Sequence, residues 1–172
     1  DTSEGVLRDA AGEAHGVFEG LTWPDRVRPG PFGKAVHFEA GKSRVRIPHQ
    51  PAVSLGSAFA IAYVIKPFRT DGFRTILWKG DRTVTPEAIN YYVDLRDGRP
   101  ELKTKDAGGR WTVYSAATAL EPDQWHHVVI TYRAGTVGIL INGEPDAVRV
   151  SEDGARGEAL LENGYDACVG DG

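Results

Sequence analysis

Apolar and polar positions along this chain alternate with a period of two, in short runs. Phe59, Ile61, Tyr63 and Ile65 alternate with Ala60, Ala62, Val64 and Lys66, and Tyr91, Val93 and Leu95 alternate with Tyr92, Asp94 and Arg96. Successive side chains of a strand point to opposite faces, so this period marks β-structure. No long window places apolar residues at i, i+3, i+4 and i+7 between caps, as an amphipathic helix requires. The runs predict strands at His15–Glu19, Ala35–Phe38, Ser43–Ile47, Phe59–Lys66, Arg74–Trp78, Tyr91–Arg96, Glu101–Lys105, Trp111–Ser115, Trp125–Tyr132, Val137–Ile141, Ala147–Val150 and Ala167–Val169. Turn chemistry separates several of them: Asp97-Gly98 and Asn142-Gly143 supply the positive φ angles of tight hairpins, and Gly108-Gly109 makes another turn. Ser151–Gly157 is polar and reads as a loop. The fold class is therefore all-β, a many-stranded antiparallel sandwich.

The two alternating strands carry different expectations. Both sets of Phe59–Lys66 are largely apolar, which predicts a central strand covered on both sides. Tyr91–Arg96 has one apolar set, so the other face, with Tyr92, Asp94 and Arg96 together, is expected to meet water or a ligand.

Composition narrows the function. The chain has 172 residues, enough for one domain with a full core, and reads as a single unit over 1–172. Its net charge is -4 with no basic run, which argues against a nucleic-acid partner. No apolar run approaches the roughly 18–20 residues of a membrane helix, so no membrane span is expected. With one cysteine, Cys168, there is no intrachain disulfide and no Cys-based metal site, and its apolar neighbours predict a buried, inert thiol. The first residue is Asp1 rather than Met, so a segment of a longer protein is expected.

Several segments in order resemble one family. Pro31-Phe32-Gly33-Lys34-Ala35-Val36-His37-Phe38 resembles the "G-x-F-G-x-A-L-x-F" opening of bacterial laminin-G-like jelly-roll domains. Phe59-Ala60-Ile61-Ala62-Tyr63-Val64-Ile65-Lys66-Pro67 and Thr75-Ile76-Leu77-Trp78-Lys79-Gly80 are similar to their "F-T-I-S-A-W-V-K-P" and "T-I-L-S-K-G" strands. Gln124-Trp125-His126-His127-Val128-Val129-Ile130-Thr131-Tyr132, followed by Gly138-Ile139-Leu140-Ile141-Asn142-Gly143, is similar to the hairpin "W-H-H-V-A-x-T-Y … L-Y-V-N-G". The resemblance, to laminin-G-like or concanavalin A-like lectin/glucanase domains, implies a jelly-roll sandwich of two antiparallel sheets packed face to face, one of them partly concave. It departs at the end, where Ala167–Gly172 stops before the family's closing strand; a chain extended by about 15–30 residues, one or two strands with their turns, is expected to be more stable.

The resemblance implies a non-catalytic carbohydrate-binding module with a glycan or polysaccharide ligand. The expected setting is secreted or cell-surface, beside a neighbouring domain of a parent protein such as a sialidase. The alternative is a structural or adhesive domain that binds protein. Many relatives hold calcium at the rim. Calcium needs several oxygen ligands, and Asp9 and Asp171 are the candidates here, among rim or turn acids that also include Asp71, Asp81, Asp94 and Asp97.

Catalytic patterns are weaker. Glu121-Pro122-Asp123 and Glu144-Pro145-Asp146 have two of the three acids of a sandwich glycosidase motif and read as turns. His126 and His127 point to opposite faces of a strand, so they do not chelate one ion together; one is expected inside and the other at the surface. Aromatic rings stack on the apolar faces of sugars. The ligand-binding candidates are Tyr92, Asp94, Arg96, Trp78, Trp111 and Tyr114, with Trp23 a further aromatic. Trp125, Val129 and Ile139 are expected to hold the hairpin together, with Trp125 largely buried.

Overall fold

A computed structural model describes residues 5–20, 26–39, 41–84, 88–152 and 160–170. The strands are β1 (Val6–Leu7), β2 (Gly16–Gly20), β3 (Val27–Gly30), β4 (Gly33–Val36), β5 (Ser43–Ile47), β6 (Ala58–Ile65), β7 (Phe73–Asp81), β8 (Ala88–Arg96), β9 (Arg99–Lys105), β10 (Trp111–Ala116), β11 (His126–Arg133), β12 (Thr136–Ile141), β13 (Glu144–Asp146), β14 (Val148–Glu152) and β15 (Ala167–Gly170). The described residues contain no α-helix; a single 3-10 turn spans Pro51–Val53.

Nine strands form one antiparallel sheet in the order β1-β2-β5-β15-β7-β8-β9-β10-β14, four form another in the order β13-β12-β11-β6, and β3 and β4 make a separate ribbon. The alternation of apolar positions decides which faces meet. Val93 and Leu95 of β8, Leu102 of β9 and Tyr114 of β10 pack with Val128, Ile130 and Tyr132 of β11 and Ile139 of β12. Each is buried, and Val93, Leu102, Val128 and Ile130 have no exposed surface. The inner face of β6, with Phe59, Ile61, Tyr63 and Ile65, packs against this core.

All twelve expected strands have counterparts. The hairpin turns also form: Asp97 and Gly98 have φ 47 and 78, and Asn142 and Gly143 have φ 55 and 90. Ala134-Gly135, with φ 45 and 82, makes a further turn of this kind between β11 and β12. Alanine there gives no turn signal, because its Cβ disfavours positive φ.

The structure corrects four expectations. First, β6 is the terminal strand of its sheet rather than a central one. Its outward set begins with Ala58, Ala60 and Ala62, all exposed, and side chains that small do not need cover. Second, Trp125 is 38% exposed. It precedes β11 and shares the outward parity of His127 and Val129, whereas the inward positions are His126, Val128, Ile130 and Tyr132. Third, β14 runs through Ser151 to Glu152, paired with β10, so the segment read as a loop begins as a strand; residues 153–157 lie outside those described. Fourth, Glu144-Pro145-Asp146 is not only a turn, since it pairs with β12 as β13.

The two histidines part as expected. His126 is buried, its Nε2 2.9 Å from the Glu121 carbonyl oxygen, and His127 is exposed. Cys168 is a buried thiol.

Candidate functional site

The four-stranded sheet covers one face of the larger sheet. The opposite face is open at β7 to β10, and the cross-strand register arranges its side chains in rows. Phe73 lies opposite Arg96; Thr75, Asp94, Glu101 and Ser115 form a second row; Trp78, Tyr92, Lys103 and Val113 form a third; Lys105 lies opposite Trp111. Rows of this kind follow from the pleat, because directly opposed residues of neighbouring strands share a face.

A β-bulge makes the first part of this arrangement possible. Between Thr75 and Leu77 the register slips by one residue, so Thr75 and Trp78, of opposite parity, both reach the open face. A second slip lies between Lys79 and Gly80. There a Cβ on Gly80 would stand 2.3 Å from the Ala88 carbonyl oxygen, and φ is 142, so the bulge requires glycine.

The open face holds a shallow cleft of about 650 Å³ lined by Phe73, Arg82, Tyr92, Arg96, Lys103 and Trp111, with Thr75 and Val113. Rings and cations interleave in it. Tyr92 and Trp111 stack with centroids 5.8 Å apart and an interplanar angle of 29°. The Arg82 guanidinium lies 4.5 Å above the Trp78 ring and 5.2 Å from that of Tyr92, and donates to the Tyr92 hydroxyl at 3.1 Å and to Thr75 Oγ1 at 3.1 Å. Lys103 Nζ stands 4.0 Å from the Phe73 ring centre, and Lys105 Nζ 5.3 Å from that of Trp111. Stacked cations of this kind hold the rings in place.

Beneath Lys103 lie two carboxylates. Asp94 has no exposed surface and Glu101 is 5% exposed. Lys103 Nζ is 3.2 Å from Asp94 Oδ2 and 3.4 Å from Glu101 Oε2, and the Ser115 hydroxyl donates to Glu101 Oε1. Burial pushes the Asp94 carboxyl up to about 6, against the attraction of Lys103 and with the repulsion of Glu101. Both oxygens of Asp94 and Oε2 of Glu101 are sealed from solvent.

Of the sequence candidates, the fold brings Tyr92, Asp94, Arg96, Trp78 and Trp111 to this face. They are not equally accessible: Trp78 is 6% exposed under Arg82, whereas Trp111 is half-buried and Arg96 exposed. Tyr114 is elsewhere. It is 2% exposed in the core between the sheets, donates its hydroxyl hydrogen to the Gly135 carbonyl and packs edge-on against Tyr132. Trp111 and Tyr114 are three residues apart on one strand, so they face opposite ways. Trp23 lies outside the described residues. Phe73, Arg82 and Lys103 complete the cleft, and none of them stands out in the sequence. The alternation of β9 carries the signal for Lys103; Phe73 and Arg82 join through the register of β7 and the chain just after it.

The rim acids fit calcium poorly. The carboxylate of Asp9 accepts from the backbone N–H groups of Ala11 at 2.9 Å and Ala14 at 3.1 Å, which hold its pKa below the usual range. It organises its own loop. Asp71 pairs with Arg69 and Arg74, Asp81 accepts from Thr83, and Asp97 accepts from the Gly72 N–H. No group of three or more His, Cys, Asp or Glu among the described residues is arranged to hold an ion. Asp171 lies outside those residues.

A second hollow, of about 600 Å³, lies beside β6. Phe32, Phe38, Tyr63, Ile65, Phe68 and Trp125 are among its walls, which are mostly apolar. Phe32 is 88% exposed and Phe68 56%.

Comparison with curated protein sequences gives no match. Among solved structures, the chain aligns with domain 4 of AbnA, a GH43 extracellular arabinanase from Geobacillus stearothermophilus, in complex with arabinotriose. The TM-score is 0.64 at 18% identity, over 95% of this chain and 77% of the other. It aligns with the binding domain of Paraclostridial Mosquitocidal Protein 1 at TM-score 0.68 and 15% identity, over 97% of this chain and 44% of the other. With domains LG4-5 of the mouse laminin α1 chain the TM-score is 0.56 at 16% identity, over 76% of this chain and 32% of the other. These likenesses establish the fold, a laminin-G-like jelly-roll sandwich. The family profile that matches is that of the concanavalin A-like lectin/glucanases superfamily, in its laminin G form, over residues 39–167. With its motifs, two-sheet architecture and family profile in agreement, the chain belongs to the concanavalin A-like lectin/glucanase superfamily.

Proposed function

We propose that this chain is a non-catalytic carbohydrate-binding module whose ligand lies in the cleft on the outer face of β7 to β10. The observation that carries this reading is the half-buried Trp111 stacked on Tyr92 beside the charged groups of Arg96 and Lys103. A sugar offers an apolar C–H face to a ring and oxygen atoms to neighbouring donors, and such a cleft meets both. The two carboxylates below are sealed off, so no acid/base pair among the described residues reaches the cleft, which supports binding rather than hydrolysis. The arabinanase domain, with its bound arabinotriose, adds the support of a related fold. The natural setting on this reading is a secreted or surface glycan-active protein, a sialidase among the candidate parents.

Calorimetric titration with a panel of oligosaccharides tests the proposal. Trp111→Ala should weaken the best ligand about tenfold, the loss of one stacked ring. No binding across the panel at millimolar concentration, or an unchanged affinity in Trp111→Ala, sinks it. One observation favours a second reading, protein interaction: the apolar hollow beside β6, with Phe32 and Phe68 largely exposed. On that reading Phe68→Ser would abolish partner binding and leave sugar titrations unchanged.

A further inference from the structure

The hydrogen-bonding inventory of the cleft is one-sided. A neutral sugar hydroxyl both donates and accepts, so sites for neutral glycans need acceptors as well as donors. The polar groups that the lining presents are mainly cationic donors: Arg96 is exposed, the Lys103 side chain is 15% exposed, and Arg82 lies between the rings. The acceptors that could have balanced them are withdrawn. Both oxygens of Asp94 and Oε2 of Glu101 have essentially no accessible surface, Glu101 Oε1 is bonded to Ser115, and the Tyr92 hydroxyl accepts from Arg82. Lys105, at the Trp111 end, adds to the positive potential of the face. Arg82, Arg96 and Lys103 of the cleft lining and Lys105 beside it stand against the buried Asp94 and Glu101, on a chain whose net charge is -4. A cationic patch on an anionic protein is a local feature, and low-dielectric walls focus its field into the cleft.

From this we infer that the ligand is an anionic glycan, whose carboxylate or sulfate groups meet Arg96 and Lys103 while a sugar ring lies on Trp111. An anionic substituent supplies acceptors and asks for no acceptor in return, which matches what the cleft offers. Guanidinium and ammonium groups bind carboxylate and sulfate oxygens through charge-assisted hydrogen bonds, stronger than those to a neutral hydroxyl. The inference rests on the proposed carbohydrate site and goes further in naming its ligand class.

The test titrates the intact chain with oligosaccharides matched in length: oligogalacturonates, sulfated galacto-oligosaccharides and neutral galacto-oligosaccharides, each at low and at raised sodium chloride. One of the anionic sets should bind at least about tenfold more tightly than the neutral set. That advantage should shrink at raised salt. Arg96→Gln, a change at an exposed position, should lower the affinity of the anionic set by far more than that of the neutral set and so remove most of the advantage. Which anionic set binds distinguishes uronate from sulfate. Neutral oligosaccharides binding as tightly as the anionic ones, or an anionic preference that Arg96→Gln leaves intact, overturns the inference while the carbohydrate site stands. Failure of all three sets to bind overturns the inference and the carbohydrate site together.

Discussion

Asp94 shows how a single side chain sets conditions for the domain. It occupies an outward position of β8, yet Lys103 and its neighbours cover it completely, and burial raises its carboxyl from 3.8 to about 6. A carboxyl whose folded value lies above its unfolded one favours the folded state in its neutral form. Its contribution is therefore most favourable below about pH 4, and stability is lost as the pH rises through about 6. The difference of roughly two units corresponds to about 3 kcal/mol at neutral pH. Asp94→Asn, which keeps the shape and removes the charge, should raise stability at pH 7 by up to that amount, and the gain should vanish near pH 4. Denaturant melts of both proteins at the two pH values check this; equal stability at pH 7 would show that Asp94 is better solvated than its burial implies.

At the scale of elements, parity within each strand separates structural from surface positions. In β11 the even positions His126, Val128, Ile130 and Tyr132 face the core, and Trp125 falls on the other side of that alternation. Large-to-small changes in a core remove both contacts and filled volume, at about 2–5 kcal/mol for Ile→Ala. Ile130→Ala should show a loss in that range, and Trp125→Ala a smaller one, because part of the indole already meets water. Thermal melts of the two variants decide it, and a larger loss for Trp125→Ala would mean that the hollow beside β6 closes over the ring. The resemblance led to the expectation of a largely buried Trp125, since a signature tryptophan reads as core until its parity is counted. In β10 the same count separates Trp111, on the cleft face, from Tyr114, in the core.

Across the whole molecule, β15 has a role out of proportion to its length. It lies between β5 and β7, so among the described strands it is the one that joins β1, β2 and β5 to the remainder of the nine-stranded sheet. The segment leading into it is clamped by Lys79, which is 1% exposed. Its ammonium donates to the Asn163 carbonyl at 3.0 Å, to Asn163 Oδ1 at 2.9 Å and to the Tyr165 carbonyl at 2.6 Å. Arg46 Nη1 ties Asp166 back to β5 at 2.9 Å. Lys79→Met would take the donor from three part-buried acceptors, each lost hydrogen bond costing about 1 kcal/mol. Amide exchange should then rise first in β15, β5 and β2, and later or not at all in β8 to β10. Uniform acceleration across the sheet would show that β15 is not the separable joint the strand order describes.

The sequence by itself determined the β class, the places of twelve of the fifteen described strands, the Asp97-Gly98 and Asn142-Gly143 turns and the pairing of Tyr92, Asp94 and Arg96 on one face. These are local consequences of a two-residue period and of φ preferences, which each segment carries wherever it sits. The placement of Trp111 opposite Tyr114 was also legible, though counting aromatics without counting parity hides it. Tertiary structure decided the rest. The slip after Thr75 brings Trp78 to the face of Thr75, and nothing local marks which residue will bulge. Arg82 joins the cleft by folding back over Trp78 from beyond the strand. Whether β6 lies inside a sheet or at its edge depends on which strands pair with it, and whether a carboxylate on an open face meets ligand or is sealed depends on the side chains of neighbouring strands. Those are contacts between segments far apart in the chain, so only the assembled sheets fix them.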